Sequence, residues 1–93
     1  MAFELINMYT VKLTRQAEKA FGRLMRSQPA MGVRVAQAID EIARHPDLGI
    51  PLRGDLKGVF KYRVGVYRIL YTIERKILLI TVIDIGHRKE VCQ

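Results

Sequence analysis

The hydrophobic period of this 93-residue chain changes at His45-Pro46, and that change dictates a two-part architecture. Upstream, Ala17, Ala20, Phe21, Leu24 and Met25 recur at i, i+3, i+4, i+7 and i+8, which predicts an amphipathic helix from Arg15 to about Ser27. Thr14 is placed to cap it. Gly22 weakens that helix by about 1 kcal/mol relative to alanine but lies off the apolar stripe. Pro29 opens a second helix, carried by Val35, Ala36, Ile39, Ile42 and Ala43 and stopped by His45-Pro46. Two such helices joined by so short a turn make an antiparallel helical hairpin.

Downstream the pattern alternates. Asp47 to Gly58 holds four residues of Gly and Pro type at 49, 51, 54 and 58 and reads as a loop. From Val59, the residues Phe60, Tyr62 and Val64 share one face, with Lys61 and Arg63 on the other. Gly65-Val66 suits a two-residue hairpin tip, and Tyr67 to Ile73 forms the returning strand. Glu74-Arg75-Lys76 turns the chain again. Ile77 to Ile85 is apolar on both faces, as a central strand is. Asp84 falls on the buried parity of that strand and is assigned no chemistry. An alternating segment from Met8 to Thr14 adds a first strand. The order β-α-α-β-β-β is that of an α+β fold, a small and mostly antiparallel β-sheet with the helical hairpin packed on one face. No repeat or linker divides the chain, so residues 1–93 are expected to form one domain.

Charge narrows the partners. Sixteen Lys and Arg against nine Asp and Glu leave +7, which favours an anionic partner such as nucleic acid. The longest apolar run, Ile77 to Ile83, is far short of the ~20 residues of a membrane span. The first ten residues lack the basic and apolar regions of a signal peptide. A lone cysteine, Cys92, can neither close an internal disulfide nor hold zinc by itself, so a cytoplasmic setting without metal or cofactor is expected.

A two-residue loop at 65–66 fixes a register in which Arg63 faces Arg68, their Cβ atoms about 5 Å apart. Such a pair is mildly destabilising, by a few tenths of a kcal/mol in salt. Together with Lys61 it makes the helix-free face cationic and suited to a phosphate backbone, although a merely solvated face has the same composition. His87, after Gly86, reads either as a proton-transfer group beside that surface or as a strand-end residue bonded to backbone. His45 suits a helix C-terminus, and Tyr62, Tyr67 and Tyr71 share the core parity.

Several of these segments occur in a telling order: Tyr-Thr-Val-Lys-Leu-Thr (9–14), two helices, Leu-Arg-Gly (52–54), Lys-Tyr-Arg-Val-Gly-Val-Tyr-Arg-Ile-Leu-Tyr (61–71) and Ile-Gly-His-Arg-Lys-Glu-Val (85–91). Over residues 8–93 the chain resembles the RelE/ParE superfamily of toxins from toxin–antitoxin pairs. Residues 1–7 precede the usual start and read as an N-terminal extension. The resemblance to RelE-type members implies a metal-independent endoribonuclease that cuts messenger RNA in the ribosomal A site. On that likeness Lys61 and Arg63 match the basic pair of the first hairpin strand. Arg68 matches the arginine beside the scissile phosphate, and Arg88 a second phosphate-binding arginine. His87 becomes the candidate general acid and Lys61 the candidate base, with Lys57 and Lys89 as flanking substrate-binding cations. The implied partners are an acidic antitoxin, the ribosome and its message, with operator DNA met only through the antitoxin and no membrane.

One position departs from the family pattern. RelE-like members commonly end Glu-Val-Tyr, and here the tyrosine is Cys92. A thiol cannot stack on a base, and only as a thiolate beside Arg88 and Lys89 could it accept a proton. Two other readings therefore stand beside the nuclease: a ParE-like toxin that poisons DNA gyrase, and an attenuated relative acting through its antitoxin complex.

Overall fold

The computed structural model describes residues 8–87. Strand β1 (Thr10–Leu13) leads into helix α1 (Arg15–Ser27) and helix α2 (Pro29–Arg44). A short β2 (Ile50–Pro51) follows, then β3 (Phe60–Val64), β4 (Tyr67–Glu74) and β5 (Leu79–His87). The five strands form one sheet in the order β1-β5-β4-β3-β2, with β1 parallel to β5 and the other pairs antiparallel. The expected α+β layout of a helical hairpin on one sheet face is what forms.

The helix boundaries follow from their caps. Thr14 is extended, and its Oγ1 accepts the Ala17 N–H at 3.1 Å, satisfying one of the orphan donors of α1. Pro29 starts α2 where a missing N–H costs nothing, and the helix closes at His45 before Pro46. The two helices bury Ala17, Leu24, Val35, Ala38 and Ile42 against Val64, Ile69, Tyr71, Ile80, Val82 and Ile85 of the sheet. Full burial of each large aliphatic side chain here contributes about 1.5–3 kcal/mol.

Several boundaries differ from the sequence reading. The first strand is shorter than Met8 to Thr14, and the last begins at Leu79 because residues 75–78 form the turn. Leu78 occupies the left-handed region at φ 53°, and its carbonyl accepts the Thr10 N–H at 2.8 Å. The segment read as loop, Asp47 to Gly58, contains two single 3-10 turns (Pro46–Leu48 and Gly54–Leu56) and the edge strand β2. What holds that segment in place is the buried Tyr71 hydroxyl. It donates to the Pro46 carbonyl at 2.7 Å and accepts the Gly49 N–H at 2.9 Å. A Cβ at Gly49 would collide with the same hydroxyl, so glycine is required there.

The main correction concerns β5. Leu70 faces Asp84 while Tyr71 faces Val82, so Ile83 is an extra residue, a β-bulge. A one-residue slip reverses the facing of everything beyond it. Before the bulge Ile80 and Val82 meet the helices. After it Ile85 does so, in register with buried Ile69. Asp84 therefore leaves the buried parity on which the sequence had placed it.

Candidate functional site

The helix-free face of the sheet is built from the alternate residues of β3, β4 and β5. The hairpin register is the expected one: Lys61 faces Leu70, Arg63 faces Arg68 and Val64 faces Tyr67. Gly65 sits at φ 60° and is the only residue of the tip with positive φ, as a glycine-first two-residue turn requires. Two rows of side chains run across the strands. One reads Gly86, Arg68, Arg63, and the next reads Asp84, Leu70, Lys61, Ile50. Arg63 is exposed, whereas Lys61, Arg68, Leu70 and Asp84 are half-buried. Opposite Arg68, glycine at 86 contributes no side chain.

Among the described residues, the face opposite the helices thus gathers Lys61, Arg63 and Arg68, with Lys12 and Glu74 farther along it. A paired guanidinium surface of this kind can hold phosphate oxygens bidentately. Lys57 is exposed and follows the Gly54–Leu56 turn, at the end of β3 away from Arg63. Arg88, Lys89 and Cys92 lie outside the described residues. Among the described residues, no three of His, Cys, Asp and Glu converge as metal ligands would.

Of the two readings of His87, the structure matches the strand-end one, with His87 the last residue of β5. It pairs with Tyr67, a residue of the helix-side parity, and meets the Tyr67 ring edge-on at a centroid distance of 5.6 Å. The Tyr67 hydroxyl in turn accepts a hydrogen bond from Gln28 Nε2 at 3.0 Å, at the junction of the two helices. The cause is again the bulge at Ile83. Without it His87 would share the face of Arg68, and with it the imidazole turns to the helix side.

What sequence reasoning missed is Asp84. It stands on the cationic face, diagonal to Arg68, with Oδ1 accepting the Ile85 N–H at 2.9 Å. The signal was present as a single carboxylate inside an otherwise apolar run. A concavity of about 550 Å³ lies between α2 and β3, where Arg34, Arg44 and Arg63 meet the carboxylates Asp40 and Glu41. Its mixed charge makes it a poorer match to phosphate than the sheet face.

A helical hairpin over a five-stranded mixed sheet in this order is the fold of the RelE and YoeB structures. Residues 11–92 match the family model described as the ParE toxin of the type II toxin-antitoxin system, parDE. The chain belongs to this family, within the RelE/ParE superfamily of type II toxins. It is 32% identical to Toxin RelG of Mycobacterium tuberculosis, over 89% of this chain and 94% of that protein. The crystal structure of the RelBE2 toxin–antitoxin complex from the same organism superposes with a TM-score of 0.78 at 31% identity, covering 87% of this chain and 92% of the other. The YoeB/ParE toxin from Agrobacterium tumefaciens shares the fold at a TM-score of 0.75 and 22% identity, over 84% and 96% of the two chains.

Proposed function

We propose that this toxin cuts messenger RNA on the ribosome. The ribose 2′-hydroxyl attacks the adjacent phosphorus, the bond to the 5′ oxygen breaks, and the products are a 2′,3′-cyclic phosphate and a 5′-hydroxyl. The observation that carries the reading is the Arg63–Arg68 register on the uncovered face, with Lys61 in the neighbouring row. Guanidinium groups held there favour the phosphorane over the ground-state diester, because negative charge accumulates on its oxygens. The likeness to RelG and to the RelBE2 toxin, both above 30% identity, supports the RelE-type activity over other chemistries of the fold. Arg88 is a second phosphate ligand under this reading, with Lys57 and Lys89 as outlying cations.

The antitoxin partner follows from the same surface. The related RelBE2 and the archaeal RelE–RelB of Pyrococcus horikoshii are toxin–antitoxin complexes. For this chain, an acidic antitoxin segment that folds onto the cationic face would silence it by charge complementarity. Operator DNA is then reached through the antitoxin rather than by the toxin.

Induced expression in cells is the direct test. Rapid arrest of translation, with messages cut at codons and carrying cyclic-phosphate ends, is expected, and Arg68→Ala and Arg88→Ala should each abolish it. Full toxicity of both variants would remove these residues from the site. A gyrase-poisoning toxin is the second reading, favoured by the match to the ParE model and by the turning of His87 away from the sheet face. It predicts filamentation with DNA damage and intact messages instead.

A further inference from the structure

We propose that Asp84 is the proton acceptor for the attacking 2′-hydroxyl, an inference that rests on the RNA-cleaving reading above. Transesterification needs a base on the 2′ oxygen and an acid on the 5′ oxygen, on the same face as the arginines that hold the phosphate. His87 and the tyrosines Tyr62, Tyr67 and Tyr71 all belong to the helix-side parity. Lys61 faces the right way, but an ammonium offers three donors and no acceptor. Asp84 is the carboxylate in the row beside Arg68, and it stands there because Ile83 is bulged.

Its geometry suits the task. Oδ1 is held by the Ile85 N–H at 2.9 Å, which fixes the side chain and leaves Oδ2 to accept a proton. Asp84 and Lys61 occupy the same row on either side of Leu70, two strand spacings apart. That is about 9–10 Å between backbones, with Arg68 in the next row between them. A phosphodiester seated over Leu70 and Arg68 would have a carboxylate toward one apical oxygen and an ammonium toward the other. The 2′-hydroxyl proton passes to Asp84 as the O2′–P bond forms. The P–O5′ bond breaks with its electron pair on O5′, which takes a proton from the Lys61 ammonium. Water then returns the proton from Asp84 to Lys61. Among the described residues, the charged strand residues on this side of the sheet besides Arg68 are Lys61 and Arg63 on β3, Lys12 on β1 and, four residues along β4 from the Leu70 that faces Asp84, the carboxylate Glu74.

Asp84→Asn isolates the charge, because the amide oxygen still accepts from Ile85. Single-turnover cleavage of message on programmed ribosomes should slow about 10²–10⁴-fold, the usual contribution of a positioned base. Binding of the same complexes carrying a 2′-deoxy nucleotide at the cleaved position should hold or tighten, since a negative charge has left a phosphate-binding face. Asp84→Glu should recover part of the rate. Cleavage by Asp84→Asn close to the wild-type rate overturns the inference and leaves the nuclease reading standing. Loss of deoxy-RNA binding in step with cleavage, or melting of the variant far below wild type, assigns Asp84 a structural part and also overturns it. Absence of cleavage by the wild-type toxin removes both.

Discussion

The Thr14 hydroxyl donates to the carbonyl of Ile83 at 3.0 Å, the β5 residue that β4 leaves without a partner. The same oxygen caps α1 through Ala17, and the Thr14 N–H donates to the Val82 carbonyl at 3.0 Å. The start of the first helix is thereby tied to the bulge that sets which face Asp84 and His87 occupy. Thr14→Val removes the cap and the tether together and should lower stability by about 1–2 kcal/mol in denaturant unfolding. Thr14→Ser, which keeps the oxygen, should stay near wild type.

Arg63 and Arg68 oppose each other in register, a like-charge pair across β3 and β4. Arg63→Gln should leave stability unchanged or raise it by a few tenths of a kcal/mol, through relief of like-charge repulsion. RNA binding by the same variant should weaken, and its salt dependence should become shallower by about one counterion. An unchanged salt slope would count against phosphate contact at this position.

Burial raises the ionisation of the Tyr71 phenol above its ordinary value of 10.0, outweighing the stabilising Gly49 N–H, with Asp47 adding to the rise. In the unfolded chain the phenol loses its proton near its ordinary value, whereas in the fold it keeps it. Its contribution is therefore complete below pH 10 and declines as pH climbs beyond that toward the folded-state value. Tyr71→Phe should lose this alkaline decline. It should also be destabilised by about 1–3 kcal/mol at neutral pH, because the Pro46 carbonyl and Gly49 N–H lose their shared partner. Urea titrations at pH 7 and above pH 10 check both statements.

Leu78 holds a left-handed backbone that a branched L-residue disfavours by about 1–2 kcal/mol, while its side chain is 43% exposed. Leu78→Gly should keep the Thr10 hydrogen bond and stabilise the protein by about 0.5–1 kcal/mol, after the added flexibility of the unfolded chain is counted. A fall in the unfolding midpoint would mean that the leucine side chain packs to more effect than its exposure indicates.

The resemblance to RelE-like sequences implies that Cys92 takes the place of a tyrosine. If the nuclease reading holds, Cys92→Tyr should restore an aromatic group able to stack on a base and should increase killing on induction. Equal toxicity of the two forms would show that this chain works without that ring.

Most of the layout was legible along the chain. The 3.6-residue stripe of α1 and α2, the caps at Thr14 and Pro29 and the β3–β4 hairpin register all follow from local periodicity and turn chemistry. So does the pairing of Arg63 with Arg68, because a two-residue turn at Gly65-Val66 fixes which residues meet. The edge strand β2 was not legible: Ile50 and Pro51 pair with β3 in a segment held by long-range bonds, the Tyr71 hydroxyl to Pro46 and Gly49 before it and the Leu52 N–H to the Val59 carbonyl after it. Nor was the facing of Asp84 and His87. An apolar run such as Ile77 to Ile85 carries no mark of where its partner strand skips a residue. The bulge is settled by contacts distant in sequence, between Thr14 and Ile83 and between Ile69 and Ile85, and every side chain beyond it follows that choice.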